Sequence, residues 1–193
     1  MSAAAPAPTR RSRASLWLII ALTAAPVAVS YILYYFWAPA RTVNYGELIE
    51  PRQLPDVPLA LADGSPFRLS QLKGKWVLVS VDSGRCDATC DRTLLYMRQL
   101  RLTQGKEMER VERAWLIPDD VAPRAEAAAA YEGTWQVRAS EALIKLFPAQ
   151  EGPSGHIYVI DPLGNLMMRF PRDPDPRRMI RDLQRLLKAS RVG

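Results

Sequence analysis

Three side chains in this sequence can do redox or soft-metal chemistry: Cys86 and Cys90, its two cysteines, and His156, its single histidine. The cysteines stand four apart in Asp82-Ser83-Gly84-Arg85-Cys86-Asp87-Ala88-Thr89-Cys90. At the start of a helix, unpaired backbone N–H groups and the positive end of the helix stabilise a thiolate, and Arg85 adds a cation beside Cys86. In an ideal helix, residues i and i+4 lie about 6 Å apart at Cα, near the upper end of the disulfide range, so the pair can open and close. A redox pair, a static disulfide and a metal site all satisfy this spacing. As a metal site, two thiolates and one imidazole suit Cu(I) better than structural zinc, which takes four protein ligands. Zinc would need a carboxylate from Asp82, Asp87, Asp91 or Asp161, but acids at helix starts and turns ordinarily serve as caps.

The elements that must position the pair are legible on either side of it. Trp76-Val77-Leu78-Val79-Ser80-Val81 is a continuous β-branched and apolar run, the pattern of a strand buried on both faces. The segment after Cys90, as far as Gln104, lacks Gly and Pro and carries Leu94, Leu95, Met97 and Leu100, which predicts a helix. Ala114–Ile117 predicts a second strand and Pro123–Glu132 a second helix ended by Gly133, and a short segment near Gln136–Arg138 precedes a small helix over Ser140–Phe147. His156–Asp161 and Leu166–Arg169 flank a turn at Pro162-Leu163-Gly164-Asn165 and read as a hairpin. A last helix starts near Asp175-Pro176, with Met179, Ile180, Leu183, Leu186 and Leu187 on one face and Arg178, Arg181, Asp182 and Arg185 elsewhere. Upstream, Val57, Leu59 and Leu61 alternate before Asp63-Gly64, and Phe67 and Leu69 alternate after it, which is a further hairpin. A βαβ unit followed by a hairpin and a closing helix is the order of a thioredoxin-like domain. The predicted fold is therefore α/β, thioredoxin-like with an N-terminal β-hairpin, preceded by one transmembrane helix. Trp76 and Trp115 lie inside apolar strand runs and are expected in the core.

The transmembrane helix is Leu16–Trp37, a run of 22 uncharged residues in a chain of 193. As a helix it spans about 33 Å, enough for a bilayer core of about 30 Å. Arg10, Arg11 and Arg13 precede it, and Tyr31, Tyr34, Tyr35 and Trp37 close it, which predicts a cytoplasmic N-terminus. Ala38-Pro39-Ala40 resembles a signal-peptidase site, but the run is longer than a signal h-region and reads as a retained anchor, with Pro26 as a tolerated kink. The expected organisation is a basic tail over 1–15, the membrane helix over 16–37, a proline-bearing linker over 38–55 and an extracytoplasmic domain over 56–193. Its location would be the inner membrane of a bacterium, single-pass, with the domain in the periplasm, where a disulfide persists.

The net charge of +6 belongs to the ends of the chain: +3 before the anchor and +4 from Arg172 onward, leaving −1 between them. The charge gives no support for a broad phosphate-binding face, and no nucleic-acid partner is expected. No phosphate loop, dinucleotide fingerprint or zinc-protease helix occurs, and Gly152-Pro153-Ser154-Gly155-His156 lacks the second glycine spacing of a hydrolase elbow. The upstream Pro and Thr of peroxiredoxin-type thiols are absent from Val81–Arg85.

Over roughly residues 54–190 the chain resembles the Sco/SenC family. The resemblance rests on Gly64, Phe67 and Leu69, on Gly74-Lys75 before the central strand, on Cys86-x-x-x-Cys90 and on Tyr158-Val159-Ile160-Asp161-Pro162-x-Gly164. It implies a membrane-anchored thioredoxin-like factor that carries copper to, or reduces the thiols of, the CuA site of cytochrome c oxidase. Cys86 and Cys90 would be the copper thiolates or the redox pair. The partners would be the membrane and a protein client, an oxidase subunit or its assembly factors. The chain departs from the family pattern at Asp87 and Asp91, where prolines follow the cysteines, and at Pro153, where the family histidine stands. His156, three residues on, is either a relocated metal ligand or an ordinary strand histidine. Pro153 is either the cis-proline that faces the cysteines in many thioredoxin-like proteins or an ordinary trans turn. Thiol-disulfide oxidoreductase activity, copper carriage and a non-catalytic binding domain with a structural disulfide remain as the functional alternatives.

Overall fold

The computed structural model describes residues 11–36 and 44–190 of the chain. Helix α1 (Arg11–Phe36) continues through Pro26, and within it Ala14–Phe36 is long and apolar enough to cross a membrane. Its side chains from Ala14 onward are exposed, as expected where lipid is the solvent. The hydroxyl of Thr23 donates back to the carbonyls of Ile19 and Ile20, so that hydroxyl is not stranded there. Arg10, Trp37 and Ala38-Pro39-Ala40 lie outside the described residues.

The second compact unit begins at Asn44. It contains β1 (Glu47–Gln53), β2 (Leu59–Leu61), β3 (Pro66–Phe67), β4 (Trp76–Val81), α2 (Ala88–Leu102), β5 (Val111–Ile117), α3 (Ala125–Ala130), β6 (Trp135–Arg138), α4 (Glu141–Ile144), β7 (Ile157–Ile160), β8 (Asn165–Phe170) and α5 (Pro176–Ala189). These strands form one mixed sheet in the order β1-β8-β7-β4-β5-β6-β2-β3. Strand β4 lies inside it, parallel to β5 and antiparallel to β7, and all six of its residues are buried. Its alternate side chains feed two clusters. Trp76 and Leu78 join Leu94, Met97, Trp115, Met179 and Leu183 on the α2/α5 face. Val77, Val79 and Val81 join Phe67, Leu116, Leu143 and Phe147 on the other. Burial on both sides is the reason β4 reads as an unbroken apolar run.

Two expectations are corrected. Residues 47–53, assigned to the linker, form strand β1, which pairs antiparallel with β8 from Glu47↔Arg169 to Gln53↔Asn165. Its exposed, proline-bearing sequence is that of an edge strand, which local periodicity does not distinguish from a stalk. Asp182, assigned to the polar side of α5, is only 2% exposed. Its Oδ2 accepts the backbone N–H groups of Tyr45 at 2.6 Å and Gly46 at 2.8 Å, so a buried carboxylate fastens the entry of β1.

Candidate functional site

Cys86 and Cys90 form a disulfide with a Cα–Cα distance of 5.0 Å. The separation is shorter than two helical positions would give because Cys86 stands outside the helix. It follows β4 by a short loop and has φ +44°, a left-handed conformation that is uncommon away from glycine and gathers at functional sites. Its own N–H donates to Ser83 O at 3.0 Å, and Arg124 Nη2 donates to its carbonyl at 2.9 Å.

Asp87 is the N-cap of α2, and its Oδ1 accepts from Thr89 N at 2.9 Å and Cys90 N at 3.0 Å. The helix-start donors expected to stabilise a thiolate are therefore partly taken by a carboxylate one residue after Cys86. Asp91 accepts the hydroxyl of Tyr131, tying α2 to the end of α3, and burial pushes the Tyr131 phenol up to about 12. Asp161 is saturated by the N–H groups of Leu163 and Asn165 and by the Asn165 amide in the β7–β8 turn. Asp87 and Asp161 thus serve as caps.

Two loops press on the pair. A Cβ on Gly84 would stand 2.0 Å from Val121 O, so only glycine lets the segment after β5 lie against the cysteine loop. Asp119 Oδ1 accepts the Gly84 N–H there at 3.1 Å. From the other side comes the segment before β7: a Cβ on Gly155 would lie 3.1 Å from Thr89 Cγ2, and Ser154 Oγ donates to Asp82 Oδ1 at 2.5 Å. Arg172 holds this segment through Ser154 O, Glu151 and Gly152 O. Cys86 and Cys90 are 2% and 1% exposed, so burial does not rank one above the other. The peptide bond before Pro153 is trans, like every described peptide bond, which excludes the cis-proline reading.

His156 stands at the start of β7, and its Nδ1 lies 2.9 Å from Phe170 O. Burial lowers its pKa, with Arg169 and Arg172 acting in the same direction, so the ring is held neutral. Among the described residues no group of three or more His, Cys, Asp or Glu side chains is placed to hold a metal ion. The structure brings Cys86 and Cys90 together and gives His156 a carbonyl partner on β8.

Asp82 directly follows β4 beside this loop. Trp115 Nε1 donates to its carbonyl, its side chain is buried, and Oδ2 has no partner among the described residues. Burial pushes its carboxyl up to about 6 from an ordinary 3.8, against the pull of Ser154 and the Gly155 N–H. Because the folded-state value is the higher, Asp82 favours folding while protonated, and that advantage is lost as the pH rises from about 4 through about 6. The loss amounts to about 3 kcal/mol. The Asp82→Asn variant should remove it: urea unfolding of wild type and variant should diverge between pH 4 and pH 7, with the variant more stable at pH 7. Parallel stability profiles would show that the carboxyl is not desolvated.

Sequence reasoning passed over Gly84, Asp119, Arg124 and Ser154. Each is defined by a contact to a segment distant in the chain, and only the position of Gly84 just before the thiol hinted at a close approach.

The fold and site define a thioredoxin-like domain carrying a C-x-x-x-C disulfide between the central strand and its helix, in a chain that also has a helix able to cross a membrane. A family model described as transmembrane-like, thioredoxin-like, C-terminal domain matches residues 76–190, and the chain belongs to that family. No curated protein matches it by sequence. Among solved structures it is similar to yeast Sco1 with copper bound (TM-score 0.61, 15% identity, 74% of this chain and 96% of that one). It is also similar to copper-bound ScoI of Bradyrhizobium japonicum (0.52, 19%, 72% and 99%). A third is a thiol:disulfide interchange protein of the thioredoxin family from Chlorobium tepidum (0.53, 21%, 73% and 97%). At these identities the likeness establishes the fold.

Proposed function

We propose that the chain is a membrane-anchored thiol-disulfide exchange protein of the periplasm, with its N-terminus in the cytoplasm, acting on the cysteines of a protein client. The observation that carries the reading is the Cys86–Cys90 disulfide at the end of β4, with Cys86 outside the helix in a left-handed conformation. A client thiolate attacks one sulfur of the pair. The Cys86–Cys90 bond breaks as the mixed disulfide forms, and the freed thiolate takes up a proton. A second client thiolate then displaces the mixed disulfide. Two electrons have passed from client to pair, leaving the client oxidised and both cysteines as thiols; the reverse sequence reduces a client disulfide. The resemblance to Sco/SenC proteins supports the CuA-bearing subunit of cytochrome c oxidase as that client.

The donor set does not fit a three-ligand copper centre within this chain. Reduction of the pair would give two thiolates, but among the described residues no third His, Cys, Asp or Glu side chain is grouped with them to hold a metal ion, and Pro153 stands where the resemblance places the family ligand. Copper would be a cargo completed by a ligand from the partner.

A second reading, a structural disulfide in a binding domain, is favoured by one observation: both cysteines are almost fully buried. Equilibration of the full chain in detergent with dithiol buffers, followed by thiol trapping, separates the two. Exchange predicts a reversible redox midpoint without unfolding and loss of all client oxidation in Cys86→Ser or Cys90→Ser. A disulfide that opens only in urea would establish the structural reading.

A further inference from the structure

A groove of about 600 Å³ lies between α2, the first half of β5 and the turn from α3 into β6. Arg113, the third residue of β5, lines it and is only 5% exposed. Its Nη2 donates to Glu132 O at 2.8 Å, while Nε and Nη1 are buried with no partner among the described residues. No described carboxylate forms an ion pair with it. A guanidinium does not shed its proton, so an unpaired buried one is costly unless negative charge compensates it, and among the described residues the attraction of Glu112 offsets only part of the burial and the repulsion of Arg98 and Arg101.

The neighbours add positive charge. Arg98 and Arg101, one turn apart on α2, line the same groove, and burial together with their charges lowers the pKa of Arg113. Arg101 spends Nε on Val111 O at 2.8 Å, and Arg98 makes no hydrogen bond or ion pair among the described residues. Of the two carboxylates on the rim, Glu112 accepts Trp135 Nε1 at 3.2 Å and Glu132 is exposed. Gly133, at φ +77°, brings the turn so close that a Cβ there would lie 3.1 Å from Arg113 Nη2. A domain whose middle is nearly neutral in charge thus gathers three guanidiniums around one concave site.

We infer that this groove binds a phosphomonoester, its phosphate held over Arg113 by Arg98 and Arg101. Convergent guanidiniums match the geometry and charge of phosphate oxygens. The volume exceeds that of a phosphate and falls in the range of small-ligand sites, and the remaining wall is Ala129, Ala130 and Trp135, suited to an uncharged organic group. The phosphate could belong to a soluble metabolite or to a lipid headgroup.

Isothermal titration of the full chain in dodecylmaltoside at constant ionic strength tests this with three probes: inorganic phosphate, glycerol 3-phosphate and phosphatidic acid in mixed micelles. Saturable one-to-one binding is expected, weakened about tenfold in Arg98→Gln and about a hundredfold in Arg98→Gln/Arg101→Gln, since each lost charge-assisted hydrogen bond is worth roughly a factor of ten or more. Glycerol 3-phosphate binding more tightly than phosphatidic acid assigns a soluble ligand, and the reverse order assigns a lipid. Arg113→Lys should also weaken binding; if it fails to fold, the double variant decides, because both of its side chains reach the surface. Absence of saturable binding by all three probes, or binding unchanged in a folded double variant, overturns the assignment.

Discussion

Gly84→Ala is expected to cost about 4 kcal/mol of stability, from overpacking plus a hydrogen bond lost to a charged acceptor. The new methyl would meet backbone, Val121 O at 2.0 Å and Val121 C at 2.8 Å, rather than the end of a flexible side chain. Backbone cannot rotate out of the way, so the 119–124 segment must move as a unit. That movement takes Asp119 from the Gly84 N–H and Arg124 from the Cys86 carbonyl. The same segment covers one side of the disulfide. Urea unfolding should show the loss of stability, and reduction by a small thiol under native conditions should accelerate by more than about tenfold, the equivalent of 1.4 kcal/mol less protection. A variant within about 1 kcal/mol of wild type and reduced at the same rate would mean that the segment does not guard the pair.

Asp182→Ala should be nearly as damaging, by about 3 kcal/mol, because it strands two backbone donors, those of Tyr45 and Gly46, at a site with little access to water. The loss should be local as well as global. Hydrogen exchange should quicken at Tyr45, Gly46 and along β1, while β4 and β5 keep their protection until the whole unit opens. Asp182→Asn retains one acceptor oxygen and should fall between wild type and alanine. Unchanged exchange in β1 would show that the strand is held by its ladder to β8 alone.

Both variants act on contacts that local pattern does not reveal. The apolar run of β4, the helix after the cysteines and the two hairpins were legible because burial leaves a period in the chain: continuous where both faces are covered, alternating where one is, near 3.6 in α5. Asp87 was legible as a cap and Asp161 as a turn acid, since their partners lie within four residues.

By itself, then, the sequence determined the element order from β2 onward, the apolar N-terminal span, the thioredoxin-like class and the position of the cysteine pair, all of which depend on residues close together along the chain. Tertiary structure decided what surrounds that pair. It made a strand of residues 47–53, because β8 offers an unpaired edge there. It turned His156 to Phe170 O and set Pro153 in trans. It buried Asp82 against Ser154, Asp182 beneath Tyr45 and Arg113 beside two other arginines. A buried polar group leaves no hydrophobic period behind. Its place depends on a partner 72, 137 or, for Asp119 with Gly84, 35 residues away, and nothing in the local pattern encodes which distant segments the sheet order will bring together.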